Sequence, residues 1–168
     1  MIRVIIDSVR VSLMSQHRMV VLREAEGNRY LPIWIGPFEA DAITIELQGV
    51  PMARPLTHDL LKSVLEELNV GVSYVVVNDL RDDTFYARII LEADGVRHEV
   101  DSRPSDAIAL AVRVHAPIFV EPKVMDEASI VTETDSEAST LSPEEEQNLS
   151  VFRDFLDSLD SEQPNKTA

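Results

Sequence analysis

Cysteine is absent from this chain of 168 residues, so neither disulfides nor thiolate metal sites enter its chemistry. A secretory start is missing too: Met1-Ile2-Arg3-Val4-Ile5-Ile6-Asp7 meets charge before any long apolar run. No stretch approaches the roughly 20 apolar residues of a membrane span. These absences set the expectation of a soluble, cytoplasmic protein with no membrane partner. Basic residues are scarce, with 15 Lys and Arg against 30 Asp and Glu and a net charge of −15. A protein held to nucleic acid by phosphate neutralisation normally carries a basic footprint. Any nucleic-acid contact here has to be local, metal-assisted or weak. Aromatics make up 5% of the chain, and they are not interleaved with basic residues as in binders of single strands. There is no glycine-rich phosphate loop and no internal repeat.

What is present reads as alternating strands and helices. Val- and Ile-rich runs over 1–14, 17–23 and 30–35 predict strands, with Glu26-Gly27-Asn28 as a turn between two of them. Gly36-Pro37 breaks the chain before a helix over 38–47. Thr57 is placed to cap a second helix, with Asp59 near its dipole and Leu60, Leu61, Val64, Leu65 and Leu68 at helical spacing. Strands follow over 72–78, 84–92 and 96–100, joined at Asp82-Asp83 and Asp94-Gly95. A third helix over 104–115 and a strand over 117–120 close the series. Hairpins at both ends with helices between predict an α+β fold with a mixed, largely antiparallel sheet and about three helices.

The acidity is concentrated near the C-terminus: residues 124–168 carry 2 Lys and Arg against 12 Asp and Glu. This divides the chain into a folded domain over 1–125, an acidic flexible linker over 126–140, and a C-terminal amphipathic helix with a disordered end over 141–168. Ser142-Pro143-Glu144-Glu145 forms a capping-box start, followed by Leu149, Phe152, Leu156 and Leu159 at 3-4-3 spacing. An isolated helix of that length is marginal in water, so it is expected to dock on its own domain, a sister subunit or another protein.

The densest chemistry lies at Asp101-Ser102-Arg103-Pro104-Ser105-Asp106, between a strand and a helix. Helix N-termini hold anions, and paired carboxylates hold hard cations. Asp101 and Asp106 are therefore candidate ligands of a divalent metal such as Mg, with Glu39 as a further one, that would polarise a phosphodiester. Ordinary helix capping by Ser102 or Ser105 explains the same polarity. Arg103 offers a planar fork for phosphate and can equally pair with a neighbouring carboxylate. His58 is the candidate general acid or base, because imidazole ordinarily titrates near neutrality. Arg54 and Ser105 are candidate substrate contacts. Trp34 and Phe38 read as core or interface anchors rather than as base-stacking platforms.

Several segments together resemble the bifunctional nuclease domain family. They are Leu31-Pro32-Ile33-Trp34-Ile35-Gly36 with Glu39-Ala40, Arg54-Pro55-Leu56-Thr57-His58-Asp59-Leu60, Phe85-Tyr86-Ala87, Ser102 to Ala111, and Pro117-Ile118-Phe119-Val120. The resemblance covers residues 1 to 125, and the acidic extension is similar to that of actinobacterial members. It implies an α+β domain that self-associates into a homo-oligomer and cleaves RNA and DNA. No catalytic residue list comes with it. Two functions therefore stand: a nuclease using His58, Asp101 and Asp106, and a non-catalytic self-associating scaffold whose polar turn binds an anion or nucleotide.

Overall fold

The computed structural model describes residues 1–12 and 17–131. Two antiparallel meanders form its frame. The first comprises β1 (Ile2–Val11), β2 (Arg18–Glu24) and β3 (Arg29–Ile35); the second comprises β4 (Gly71–Arg81), β5 (Thr84–Ala93) and β6 (Val96–Ser102). The short strand β7 (Ile118–Val120) lies between them, antiparallel to β1 and parallel to β4. With β8 (Ile130–Val131) beside β3, the eight strands run in the order β6-β5-β4-β7-β1-β2-β3-β8. Tight turns fix the second meander. Asp82 and Asp83 have φ of 46° and 57°, and Asp94 and Gly95 have 52° and 74°. Two-residue hairpins need this left-handed pair because its twist matches the strands it joins.

Four helices accompany the sheet: α1 (Pro37–Leu47), α2 (Thr57–Glu67), α3 (Pro104–Val114) and α4 (Pro122–Ala128). Proline opens α1, α3 and α4, where its missing N–H costs nothing and its fixed φ suits the first turn. The central helix is α3, which packs on α1, α2, β4 and β5. Its Ala107, Ile108, Ala109, Leu110 and Ala111 are buried among Val20, Leu22, Leu31, Ile43, Val75 and Val77. The alanines let neighbouring backbones come close, while Ile108 and Leu110 fill volume. Truncating either to alanine would destabilise the fold by roughly 2–5 kcal/mol.

The α+β architecture with a largely antiparallel, mixed sheet is as expected. Helix α4 and strand β8 are additions: the fold continues across the boundary drawn at 125 and through 126–131, where a linker was expected. Met125 and Val124 of α4 are buried in the core. Glu121-Pro122 is the same helix-opening signal as at α1 and α3, and it was there to be read. At α2, Leu56 rather than Thr57 is the capping residue, and its N–H donates to the Asp59 carboxylate at 2.7 Å. The expected C-terminal helix over 141–168 lies outside the described residues. Among the described residues no helix is long and apolar enough to cross a membrane.

Candidate active site

The first turns of α1, α2 and α3 each contribute a charged or titratable side chain to one relay. At the start of α2, His58 Nε2 lies 3.1 Å from Asp106 Oδ1 in the first turn of α3. The other Asp106 oxygen accepts from Arg103 Nε at 2.7 Å, and Arg103 Nη2 donates to Glu39 Oε1 of α1 at 2.6 Å. Gly36 lies close beneath this carboxylate: a Cβ there would come within 2.2 Å of Glu39 Oε2, so the end of the Glu39 side chain would have to shift.

The members differ in exposure, and that difference assigns their tasks. His58 is 7% exposed, and its Nδ1 is buried without a hydrogen-bond partner. Buried polar atoms are normally satisfied, so an orphan ring nitrogen marks a place that packing alone does not explain. Asp106 is partly exposed, and the Arg103 side chain is 65% exposed. Bonds from Asp106, and then Glu39, raise the pKa of the Arg103 guanidinium. Arg103 keeps Nη1 outside both ion pairs. Exposed ion pairs contribute only about 0–1 kcal/mol to stability, so this relay is a weak strut.

Beside the relay lies a cleft of about 610 Å³, whose wall includes Arg103, Pro104, Ser105, Arg18, Trp34 and Phe85. Ser105 is buried at its edge. Trp34 and Phe38, read as core or interface anchors, are not in the core; Trp34 is 55% exposed.

Of the predicted site residues, the fold brings His58, Asp106, Arg103 and Glu39 together. It does not bring Asp101. Strand β6 runs two residues past its expected end, so Asp101 is a strand residue opposite Arg88 of β5, and Ser102 is opposite Ala87. Ala87 belongs to the core beneath α3. Successive strand residues point to opposite faces, so Asp101 projects away from α3. Its charge adds to that around Arg81. The expected Asp101–Asp106 metal pair is thus not assembled at this turn, and Arg103 bridges the other two carboxylates, Asp106 and Glu39. Among the described residues no three His, Asp or Glu side chains are grouped to hold a metal ion. Side-chain capping by Ser102 or Ser105 is not formed either: α3 begins at Arg103 without a side-chain cap.

Arg54 faces a different cleft, of about 440 Å³, beside Asp59, Lys62, Glu66 and Arg113. Sequence reasoning passed over Arg113, which is 2% exposed. Its Nε donates to Asp59 Oδ1 at 2.5 Å, Nη1 to the Ala109 carbonyl at 2.8 Å and Nη2 to the Ala42 carbonyl at 3.1 Å. One side chain thereby ties α1, α2 and α3. Burial of Asp59 works against ionisation, but the Leu56 N–H and the Arg113 guanidinium outweigh it and hold the carboxyl below its ordinary value. An arginine among the buried alanines of α3 was the available signal, since a buried charge has to be paired.

Comparison with known proteins bears on this geometry. Residues 20–133 match the model of the family described as the bifunctional nuclease domain. An uncharacterized protein of Mycobacterium tuberculosis is 43% identical over 153 residues, covering 90% of each chain. The protein named bifunctional nuclease 2 from Oryza sativa subsp. japonica is 30% identical over 105 residues, covering 60% of this chain and 32% of its own. Bifunctional nuclease 1 from Arabidopsis thaliana is 30% identical over 108 residues, covering 62% and 33%. The match therefore spans about a third of the length of the plant proteins.

Proposed function

The chain belongs to the bifunctional nuclease domain family, and we propose that it hydrolyses phosphodiester bonds of RNA or DNA at the Glu39–Arg103–Asp106–His58 relay. The observation that carries this reading is the relay itself, a partly exposed carboxylate bonded to a guanidinium that has a spare donor and lines a cleft. Arg103 Nη1 is placed to bond a phosphoryl oxygen and balance the charge that grows there in the transition state. Asp106 takes a proton from the attacking water. A new P–O bond forms from that water, the P–O bond to the leaving oxygen breaks, and the leaving oxygen takes up a proton from solvent at the open cleft. His58 is too buried to touch substrate. It is a positioning residue that holds Asp106 from behind, and Glu39 holds Arg103 in the same way. With Arg103 occupying the carboxylates, a divalent cation such as Mg²⁺ would enter on the substrate's phosphates.

The test is cleavage of RNA and of DNA by the purified full chain, in Mg²⁺ and in chelator, beside Asp106→Asn, His58→Gln and Asp101→Asn. The reading expects Asp106→Asn to lose at least about a hundredfold. His58→Gln should lose less and shift the pH profile, and Asp101→Asn should cleave as the parent does. Equal cleavage by all four proteins would overturn it. A rate that collapses in chelator marks the metal-assisted form.

One observation favours the second reading, a non-catalytic module that assembles with copies of itself. On α2 and at its C-cap, Leu60, Val64 and Leu68 recur at helical spacing and are all exposed. Monomeric proteins rarely leave such a stripe uncovered. Leu60→Glu with Val64→Glu would lower the mass in solution if copies pair there.

A further inference from the structure

We propose that the cleft beside Arg103 seats an unpaired nucleobase, with Trp34 as the stacking face and Arg103 and Arg18 as the seat of the adjoining phosphate. This deepens the nuclease reading by naming the part of the substrate that the cleft takes. Its test reads binding, and so stands apart from catalysis.

Four features converge. Trp34 exposes more than half of its surface, and its ring stands edge-to-face to His17 at a centroid distance of 6.0 Å and an angle of 71°. An exposed indole is a large apolar face left in water, and stacking on a base covers such a face without requiring a particular sequence. The cleft volume of about 610 Å³ lies in the range of small-molecule sites and suits a nucleotide. Phe85 and Ile33 are among the apolar residues that line it.

Charge is the third feature. The chain carries −15 overall, and the lining of this cleft brings Arg18, Arg103 and His17 together beside one lining carboxylate, Asp83, with Asp41, Asp106 and Glu39 paired to the two arginines. Arg18 gives Asp41 one bond, from Nη1 at 2.7 Å, and Arg103 commits Nε and Nη2, so each guanidinium retains donors. Fourth, Gly36 and Pro104 bring the N-terminal ends of α1 and α3 to the same wall, and their dipoles favour an anion there. Sequence order hides this arrangement. Trp34, Phe85 and the two arginines come from four segments, so the aromatic–basic pattern of a single-strand binder appears only in three dimensions. A base inside a duplex has its faces covered by neighbouring pairs and cannot lie on Trp34.

Trp34 is the one tryptophan of the chain, so its emission reports on this cleft alone. The experiment titrates the full chain, in chelator and on ice, with a short single-stranded oligothymidylate and with a duplex of equal length. Trp34 emission is followed together with the anisotropy of a labelled strand. Expected are saturable quenching by the single strand, little by the duplex, and binding weakened at least about fivefold by Trp34→Leu but less by Trp34→Phe. Anisotropy showing binding with unchanged Trp34 emission and unaltered affinity in Trp34→Leu would overturn the proposal. So would an absence of binding, or an oligomer mass that Trp34→Leu lowers while no strand binds, which would make Trp34 an interface residue. Quenching by a strand that the parent chain leaves uncut in Mg²⁺ at ambient temperature leaves the base seat standing and removes the nuclease reading. Cleavage that ignores Trp34→Leu does the reverse.

Discussion

His58 and Asp59 are neighbours in the first turn of α2, yet they serve two clusters of opposite character. Asp59 turns to Arg113, which is almost wholly enclosed and spends its donors on one carboxylate and two backbone carbonyls. His58 turns to Asp106 and Arg103, where one ring nitrogen is left without a partner and one guanidinium nitrogen stays outside the ion pairs. The first cluster is satisfied from within the protein. The second has capacity left over, and it opens on a cleft. Closed satisfaction is what a structural clamp needs; spare donors beside solvent are what a substrate needs.

That contrast can be broken most forcefully at the clamp. Arg113→Met would leave Asp59 and the Ala42 carbonyl without their partner, and we expect a loss of about 3 kcal/mol in denaturant unfolding. The next effect belongs to the relay. Asp106→Asn should keep unfolding within about 1 kcal/mol of the parent, because its exposed pair with Arg103 contributes little and the amide can still bond the buried His58, while cleavage falls at least about a hundredfold. Arg103→Lys keeps the charge and loses the planar fork, so a rate loss of roughly tenfold is expected with stability unchanged. Steady-state cleavage beside a melting curve separates the two losses.

The smallest effect is a dependence on acid. The Asp59 carboxyl is held below its ordinary value, and Asp79 is held at about 2 by Lys123 of α4 and by Arg81. A carboxyl depressed in the folded state stabilises above its unfolded value of about 3.9 and loses that contribution as pH falls through its folded value. Unfolding midpoints should therefore be flat from neutrality to about pH 4.5 and decline toward pH 2. Asp59→Asn should flatten part of that decline, as followed by urea unfolding at each pH.

Much of the frame was legible in the chain. Val and Ile runs marked the strands, and Asp-Gly and Asp-Asp marked the hairpins. The stripe on α2 gave a helix, although its Leu60, Val64 and Leu68 face outward. His58, Arg103, Asp106 and Glu39 were legible as candidates because helix starts collect polar side chains. Their convergence was not, since it depends on how α1, α2 and α3 pack. Asp101 was misplaced by an extra strand residue or two, and in a strand one residue exchanges faces. Arg54 precedes α2 closely, as His58 follows its start, yet it faces the clamp's cleft rather than the relay's. Trp34 shows the limit in the other direction: a lone tryptophan near the end of an apolar strand reads as a core or interface anchor, and the structure leaves it exposed beside the buried Ile33.

The most direct measurement compares Asp106→Asn with Asp59→Asn in one experiment that records melting and cleavage of a single-stranded substrate. The account predicts that Asp106→Asn melts with the parent but barely cleaves, whereas Asp59→Asn melts earlier and cleaves at the parental rate while folded. Parental cleavage by Asp106→Asn, or activity in the two variants that simply follows the folded fraction, would contradict it.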